Sequence, residues 1–386
     1  MLAWLCASSV LFRTHASELV GRRMLSSLLT GLVAMIRSVT TRTRLVALCA
    51  LRAVAPAAAA MFSTKSPFVV AYDGIALPSD VSSKDFLLNN PSGAYTTART
   101  CSRARRLFEW DTHTTRTAAS VEAMVLGDKA AAADLQQQEV LAALATPSAL
   151  SPRLDATVAS AMRCYTDAHG YDTELKVTVL VSWKEQCAAS GTEESKSPLG
   201  SIACHVAPLP PLPSSPVRVE VRGAPRANAL AKDSAWVADR APLEDLMRAS
   251  KAGALNELLL ASESGELLEG SQTNFYAIVD GAVVTAGEGI LAGTVRRLLL
   301  EVCEREGIPV VLRPPKLEEM ATWQGALISS TSRLMLPIDR LYVPVEGQPS
   351  GEGDLRAEFD TSPGSLAARL QELVAGEVVA HSTQMI

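Results

Sequence analysis

Lys232 and Glu269 stand 37 residues apart, and two Gly/Ser/Thr stretches follow them, Gly293-Thr294 and Ser329-Ser330-Thr331-Ser332. A lysine amine bonds an aldehyde carbon, most readily where burial lowers its pKa. A carboxylate partners a protonated ring nitrogen and so makes that ring a better electron sink. Hydroxyls, together with the unpaired backbone N–H groups of a helix start, hold a phosphate. In this order the residues are the parts needed to hold a phosphorylated aldehyde: an amine, a ring acid and two anion-binding loops. The acid belongs to Glu269-Gly270-Ser271-Gln272-Thr273-Asn274-Phe275-Tyr276, a loop of small polar side chains ahead of an apolar run.

Each part alone has a plainer reading. Lys232, within Ala-Leu-Ala-Lys-Asp-Ser, is the kind of lysine that snorkels at a surface. Glu269 by itself is a solvated turn acid, and Arg116 a cation on a helix surface. Gly293 or Thr294 by itself caps the following helix, and residues 329–332 form an ordinary turn. The ordered set of all of them is what favours a cofactor site.

The elements that must position these residues are legible in the periodicity. Strands are expected at Phe68 to Tyr72, Ala94 to Thr100, Leu107 to Trp110 and Leu175 to Trp183, the last rich in Val and Thr. Asn89-Asn90-Pro91-Ser92-Gly93 is a turn. Alanine and leucine at three- to four-residue spacing predict helices from Thr115 to Met162. Further strands are expected at Val217 to Val221, Asn256 to Ser262, Phe275 to Val279 and Ala282 to Thr285, the last two around an Asp280-Gly281 hairpin turn. Thr294 to Glu306 carries apolar residues at 295, 298, 299, 302 and 303, one helical face, and Gly307-Ile308-Pro309 ends it. A strand at Val310 to Leu312, a short helix at Lys316 to Met320 and a last core strand at Ala326 to Ser329 follow. A loose acidic loop over Gly347 to Glu358 and a closing helix over Ser365 to Ala375 complete the chain.

The chain has 386 residues, 48% of them apolar, enough for two domains. Its formal charge of −5 is unevenly spread. The first 60 residues hold seven arginines against the single acid Glu18, a net +6, which leaves the remainder near −11. An acidic body argues against nucleic acid as a partner, since phosphate backbones demand clustered Lys and Arg. The Arg-, Ala- and Ser-rich start predicts an organelle-targeting leader over 1–61, for mitochondrion or plastid, with the folded protein beginning near Phe62. Leu45 to Ala60 ends in small residues, which makes a secretory signal the rival. The best anchor candidate, Met24 to Ile36, is too short to span a bilayer, which takes about 20 residues. The seven cysteines form no CxxC pair, so neither a zinc site nor a disulfide framework follows, and no metal is expected. The Pro-rich run within Ala207 to Pro216 predicts a linker, dividing the chain into an N-terminal α/β domain, 62–206, and a larger C-terminal cofactor-binding domain, 217–386.

Taken together, Leu268 to Phe275 with Asp280-Gly281, Gly289 to Arg296 (GILAGTVR), and Ala326 to Pro337 resemble the class IV aminotransferases. In the first half Gly93-Ala94-Tyr95-Thr96-Thr97-Ala98-Arg99 is similar to that family's pocket-lining strand, and His113-Thr114-Thr115-Arg116 to its His-x-x-Arg helix start. The family comprises the fold type IV pyridoxal-phosphate enzymes: branched-chain and D-amino acid aminotransferases and aminodeoxychorismate lyase. The pattern is closest to a divergent plant and algal branch. The resemblance implies an α/β (α+β) two-domain fold, D-amino acid aminotransferase-like, binding pyridoxal 5'-phosphate. Lys232 resembles the Schiff-base lysine and catalytic base, and Glu269 the partner of the ring nitrogen. Arg116, Thr294, Val295, Ser330 and Thr331 would cradle the phosphate. Tyr95 and Arg99 would line the substrate side, and Asn274 would order the loop carrying Glu269. The implied reaction moves an amino group between an amino acid and a 2-oxo acid, in a homodimer with small-molecule substrates and no membrane or nucleic-acid partner. Two alternatives stand beside it, a lyase releasing pyruvate and a catalytically silent cofactor-binding homologue. Three departures are visible: Thr117 follows Arg116 where leucine is usual, Gly293-Thr294-Val295 shifts a hydroxyl by one position, and Arg333-Leu334 replaces a Glu-Ile pair.

Overall fold

The computed structural model describes residues 66–126, 135–183 and 200–386. The leader expected over 1–61 and the polar stretch 184–199 lie outside the described residues.

The first half builds an antiparallel sheet. β1 (Phe68–Tyr72) turns back as β2 (Ile75–Ser79), and α1 (Ser83–Leu88), capped by Ser82 Oγ, leads into β3 (Ala94–Cys101). β4 (Arg106–Phe108) ends where α2 (Trp110–Leu126) begins, so Trp110 starts a helix rather than finishing a strand. α3 (Leu135–Ala145) and α4 (Pro147–His169) follow, then β5 (Leu175–Ser182) and β6 (Ser201–Pro208). Together with β17 (Ser382–Gln384) these strands run β17-β4-β3-β5-β6-β1-β2. β6 reaches Pro208, so the start of the expected linker is the end of an internal strand. Its alternation is masked in the sequence by the buried Cys204 and His205 and by the proline run behind it.

The second sheet is mixed. β7 (Arg218–Val221) runs parallel to β8 (Glu257–Ala261), and β8 pairs antiparallel with β9 (Leu267–Gly270). The chain between β7 and β8 holds α5 (Trp236–Asp239) and α6 (Ala241–Arg248). β10 (Asn274–Val279) and β11 (Ala282–Thr285) form a hairpin in which Asp280 and Gly281 both take positive φ, 49° and 74°, the geometry a two-residue turn needs. α7 (Thr294–Glu306) buries Val295, Leu298, Leu299, Val302 and Cys303 and stops at Gly307, left-handed at φ 67°. β12 (Val310–Leu312) and a 3-10 turn (Leu317–Thr322) lead to β13 (Trp323–Ser330). β13 is not the last strand: β14 (Leu334–Pro337), β15 (Arg340–Tyr342) and β16 (Leu355–Glu358) follow before α8 (Leu366–Glu377).

β10 is buried on both faces. Tyr276 packs with α7 and α8, whereas its neighbour Phe275 packs on the opposite face with Trp323 and Ile328. Period-2 alternation puts these two large rings on opposite sides of one strand, each worth about 1.5–3 kcal/mol of burial. The C-terminal strand then crosses back: Ser382 pairs with Phe108, so 382–384 belong to the first sheet although they follow the second. Both sheets belong to one compact unit, residues 67–184 with 199–386.

Candidate active site

Two strand pairings set one row of side chains. Glu269 lies opposite Asn274 across the β9–β10 turn, and Asn274 lies opposite Ser329 across the β10–β13 pair. Glu269 is therefore a strand residue, buried to 4% exposure, not the loop acid of the sequence reading. Gly270 makes the turn: a Cβ there would sit 2.0 Å from Thr273 Oγ1. Asn274 clamps a different segment from the one expected. Its Nδ2 donates to the Leu291 carbonyl (2.8 Å) and its Oδ1 accepts from Gly293 N (3.1 Å), which ties the entrance of α7 to the end of β10. Gly293 is required for this approach, because a Cβ would come within 2.2 Å of Asn274 Oδ1.

The row opens into a cavity of about 350 Å³. Lys232, Glu269, Arg116, Thr294, Val295, Ser330, Thr331 and Tyr95 all line it. Arg99 is placed differently: it lies outside the lining, with Nη1 donating to the Ser332 carbonyl (3.4 Å).

At the phosphate-like end, α7 begins with Gly293, which has no side chain to cap it. Thr294 Oγ1 meets Thr331 Oγ1 at 3.1 Å, so both loops converge on one point. Arg116 lines the same cavity. Its Nη2 donates to Thr96 Oγ1 (2.9 Å) and His113 Nδ1 (3.2 Å), its Nε has no partner, and no carboxylate pairs with it among the described residues. Burial brings its pKa down to about 10, only partly opposed by Tyr95. A half-buried guanidinium without an acid favours an anion as its partner. His113 is neutral, because burial first, then Arg116 and Lys232, hold it well below its usual value. That agrees with Nδ1 accepting from an arginine, which can only donate.

At the other end, Lys232 is half-buried. Burial lowers its pKa, Tyr95 opposes this, and Arg116, Arg226 and Arg240 add to the lowering. Glu269 Oε1 accepts from Arg226 Nε (2.8 Å) and Nη2 (2.7 Å), and Oε2 accepts from Leu291 N (3.1 Å). Burial raises its pKa while Arg226 pulls the other way. Arg226 was missed in the sequence, where it is one arginine between Pro225 and Ala227, six residues before Lys232. Trp236 was also missed; its Nε1 donates to the Ser271 carbonyl (2.7 Å) and fixes the turn after Glu269. Glu257, buried to 1%, accepts from Ser271 Oγ (2.6 Å) and Arg333 Nη1 (3.1 Å), so the unusual Arg333 joins the two loops through an acid on β8. Cationic residues of the lining are Lys84, Arg116, Lys176, Arg226, Lys232, Arg240 and Arg333, against the acids Glu244 and Glu269. Such a wall favours anionic ligands. Among the described residues there is no metal-binding cluster, and no helix is long and apolar enough to cross a membrane.

This chain belongs to the class IV aminotransferase family, whose model matches residues 93–341. The fold is similar to the branched-chain aminotransferase of Thermoproteus uzoniensis solved with norvaline, at 18% identity and TM-score 0.56, covering 82% of this chain and 99% of that one. It is also similar to an aminotransferase from Brucella abortus bound to the co-factor PLP, at 15% identity and TM-score 0.55, covering 81% and 99%. A hypothetical aminotransferase from Mycobacterium tuberculosis in its PLP-bound form matches at 16% identity and TM-score 0.53, covering 81% and 99%. No curated protein matches the chain.

Proposed function

We propose that the protein is a pyridoxal-phosphate-dependent transaminase, moving an amino group between an amino acid and a 2-oxo acid. The observation that carries this reading is Arg116, a half-buried guanidinium with no acid, lining the same cavity as an uncapped helix start, Lys232 and Glu269. The residues fit the cofactor. Arg116, the N–H groups of Thr294 and Val295, and the hydroxyls of Ser330 and Thr331 would hold its phosphate. Glu269 would meet the ring nitrogen, with Arg226 and Leu291 N fixing the carboxylate's direction. When bound, the cofactor supplies an electron sink for a carbanion at the substrate Cα. Lys232 Nζ supplies the attachment point and then holds and returns the Cα proton; its burial-lowered pKa raises the fraction of free amine available for both tasks.

Addition of pyridoxal phosphate to the purified chain should produce a visible absorbance band that borohydride bleaches, leaving the label on Lys232. Label on Lys251, or no chromophore, would overturn the assignment. Amino donors should discharge the band and 2-oxo acids restore it. Pyruvate released from aminodeoxychorismate with no acceptor present would instead assign the lyase reading. The family resemblance further supports a homodimer, testable by light scattering. The Arg-rich start supports import into a mitochondrion or plastid, testable by following a tagged full-length chain.

A further inference from the structure

The loop that presents Thr331 to Thr294 is held in a conformation its own sequence does not favour. Ser330 pairs with Leu334 across the β13–β14 turn, so Thr331, Ser332 and Arg333 form a three-residue loop. Such loops close on a left-handed residue, the place glycine fills at least cost. Here the position is taken by Leu334, at φ 56° and packed in the core beside α7 and α8, so the backbone is strained where the loop closes. Bonds within the loop are long: Arg333 N donates to Ser330 Oγ at 3.3 Å, and the Ser330 and Ser332 hydroxyl oxygens stand 3.4 Å apart. The loop is therefore held from outside.

Two arginines supply the grip. Arg99 Nη1 donates from β3 to the Ser332 carbonyl (3.4 Å), and Arg333 Nη1 donates to Glu257 Oε2 (3.1 Å). Glu257, buried on β8, uses its other oxygen to accept from Ser271 Oγ (2.6 Å) and Leu258 N (3.0 Å). Ser271 is pinned at two further points, its N donating to the Leu258 carbonyl (2.9 Å) and its own carbonyl accepting from Trp236 Nε1 (2.7 Å). Gly270 lets the turn lie against the acid, since a Cβ there would come within 3.1 Å of Glu257 Cγ. One buried carboxylate thus touches the turn that follows Glu269 and, through Arg333, the loop that carries Thr331. Both of its oxygens are engaged, and an enclosed carboxylate is costly to leave without its cation.

We propose that Glu257 and Arg333 are positioning residues, whose ion pair ties the loop 331–333 to the turn 270–273 and keeps the Thr331 side of the cavity set for phosphate before any ligand arrives. Assigning that phosphate to a cofactor rests on the transaminase reading; the effect of the pair on phosphate binding does not. Arg333 also lines the cavity, so a direct contact with the anion is the rival role. The two roles differ in sign at Glu257. If Arg333 simply attracted phosphate, removing the negative charge of Glu257 would strengthen anion binding. If the pair holds the loop, the same change weakens it, because the loop must then be ordered as phosphate binds.

The test is calorimetric titration of inorganic phosphate into the cofactor-free full chain. Glu257→Gln keeps an oxygen for Ser271 and Leu258 N but turns an amide toward Arg333. Its phosphate affinity should fall roughly tenfold, the cost of ordering two or three loop residues on binding. Arg333→Gln should lose a similar factor, Arg333→Lys should recover most of it, and the double variant should lose no more than either single change, since each breaks the same pair. Hydrogen exchange over residues 329–336 should quicken in Glu257→Gln and slow again when phosphate is added. Should Glu257→Gln not fold, the Gln and Lys variants of Arg333, whose side chain is 25% exposed, decide by the same loss and recovery. A wild type that binds no phosphate, unchanged or tighter binding in Glu257→Gln, losses that add in the double variant, or exchange that does not move would each overturn the inference. Phosphate binding that behaves as expected while pyridoxal phosphate gives no visible band would instead sink the transaminase reading and leave this one standing.

Discussion

Replacing Arg116 with methionine should push the cofactor-free and cofactor-bound proteins in opposite directions. In the cofactor-free chain the guanidinium is half-buried with no acid, and desolvation has already lowered its pKa to about 10. Removing an uncompensated, half-buried charge costs nothing electrostatically, and methionine adapts to the vacated space. Thr96 Oγ1 stays 2.7 Å from His113 Nδ1, so no polar group is orphaned. Unfolding free energy without cofactor should therefore equal or exceed wild type. With cofactor, the variant lacks a charge-assisted contact worth about 1.5–3 kcal/mol. Two unit charges 4 Å apart at an effective dielectric of 20 give an upper bound of about 4 kcal/mol. Affinity for pyridoxal phosphate should drop roughly 10- to 150-fold. At fixed, saturating cofactor the gain in stability should shrink by about 1.4–2.7 kcal/mol for a 10- to 100-fold weaker Kd. Thermal unfolding with and without cofactor, joined to an absorbance titration, measures both signs. The reasoning is refuted by unchanged cofactor affinity, or by a cofactor-free variant that loses more than about 2 kcal/mol.

Three further outcomes follow from the same geometry. Glu269→Gln keeps the shape that Arg226 and Leu291 N grip but removes the charge facing the ring, so kcat should fall on the order of 10²-fold with cofactor still bound; steady-state kinetics showing unchanged turnover would remove Glu269 from that role. Gly293→Ala places a Cβ 2.2 Å from Asn274 Oδ1 and must displace the start of α7, so it should lower stability by about 1–3 kcal/mol and weaken cofactor binding, read by unfolding and titration. Glu109 is opposed by burial but held below its usual 4.5 by Arg297 and Thr112, with His381 adding to the effect. A depressed carboxylate contributes stability present above the unfolded value and lost as pH falls through the folded one. Wild type should therefore lose more stability than Glu109→Gln on acidification below 4.5; parallel pH profiles would contradict this.

Much of the second half was legible because its signals are local. The apolar face of 294–306, the left-handed Gly307 and the Asp280-Gly281 turn are written within a few residues each, and all three stand as expected. The Val- and Thr-rich run at 175–182 likewise announces its strand. β6 was hidden by a proline run and a buried histidine. α5 and α6, which flank Arg240, are only four and eight residues long, too short for a periodic pattern to announce them.

By itself the sequence determined the order of the chemical parts: a strand with Tyr95, a helix with Arg116, then Lys232, Glu269 and two hydroxyl-rich loops. Backbone propensities and side-chain periodicity act over two to four residues, so element types and their contents survive in one dimension. Only the tertiary structure decided what these parts meet. Register between distant strands aligned Glu269, Asn274 and Ser329 in one row and turned Asn274 toward the start of α7. Folding also brought Arg226 to Glu269 and Glu257 to Arg333, and it carried Arg99 out of the cavity wall. Ion pairing and desolvation depend on which groups come within a few ångströms after the chain closes on itself, across separations that no local pattern encodes.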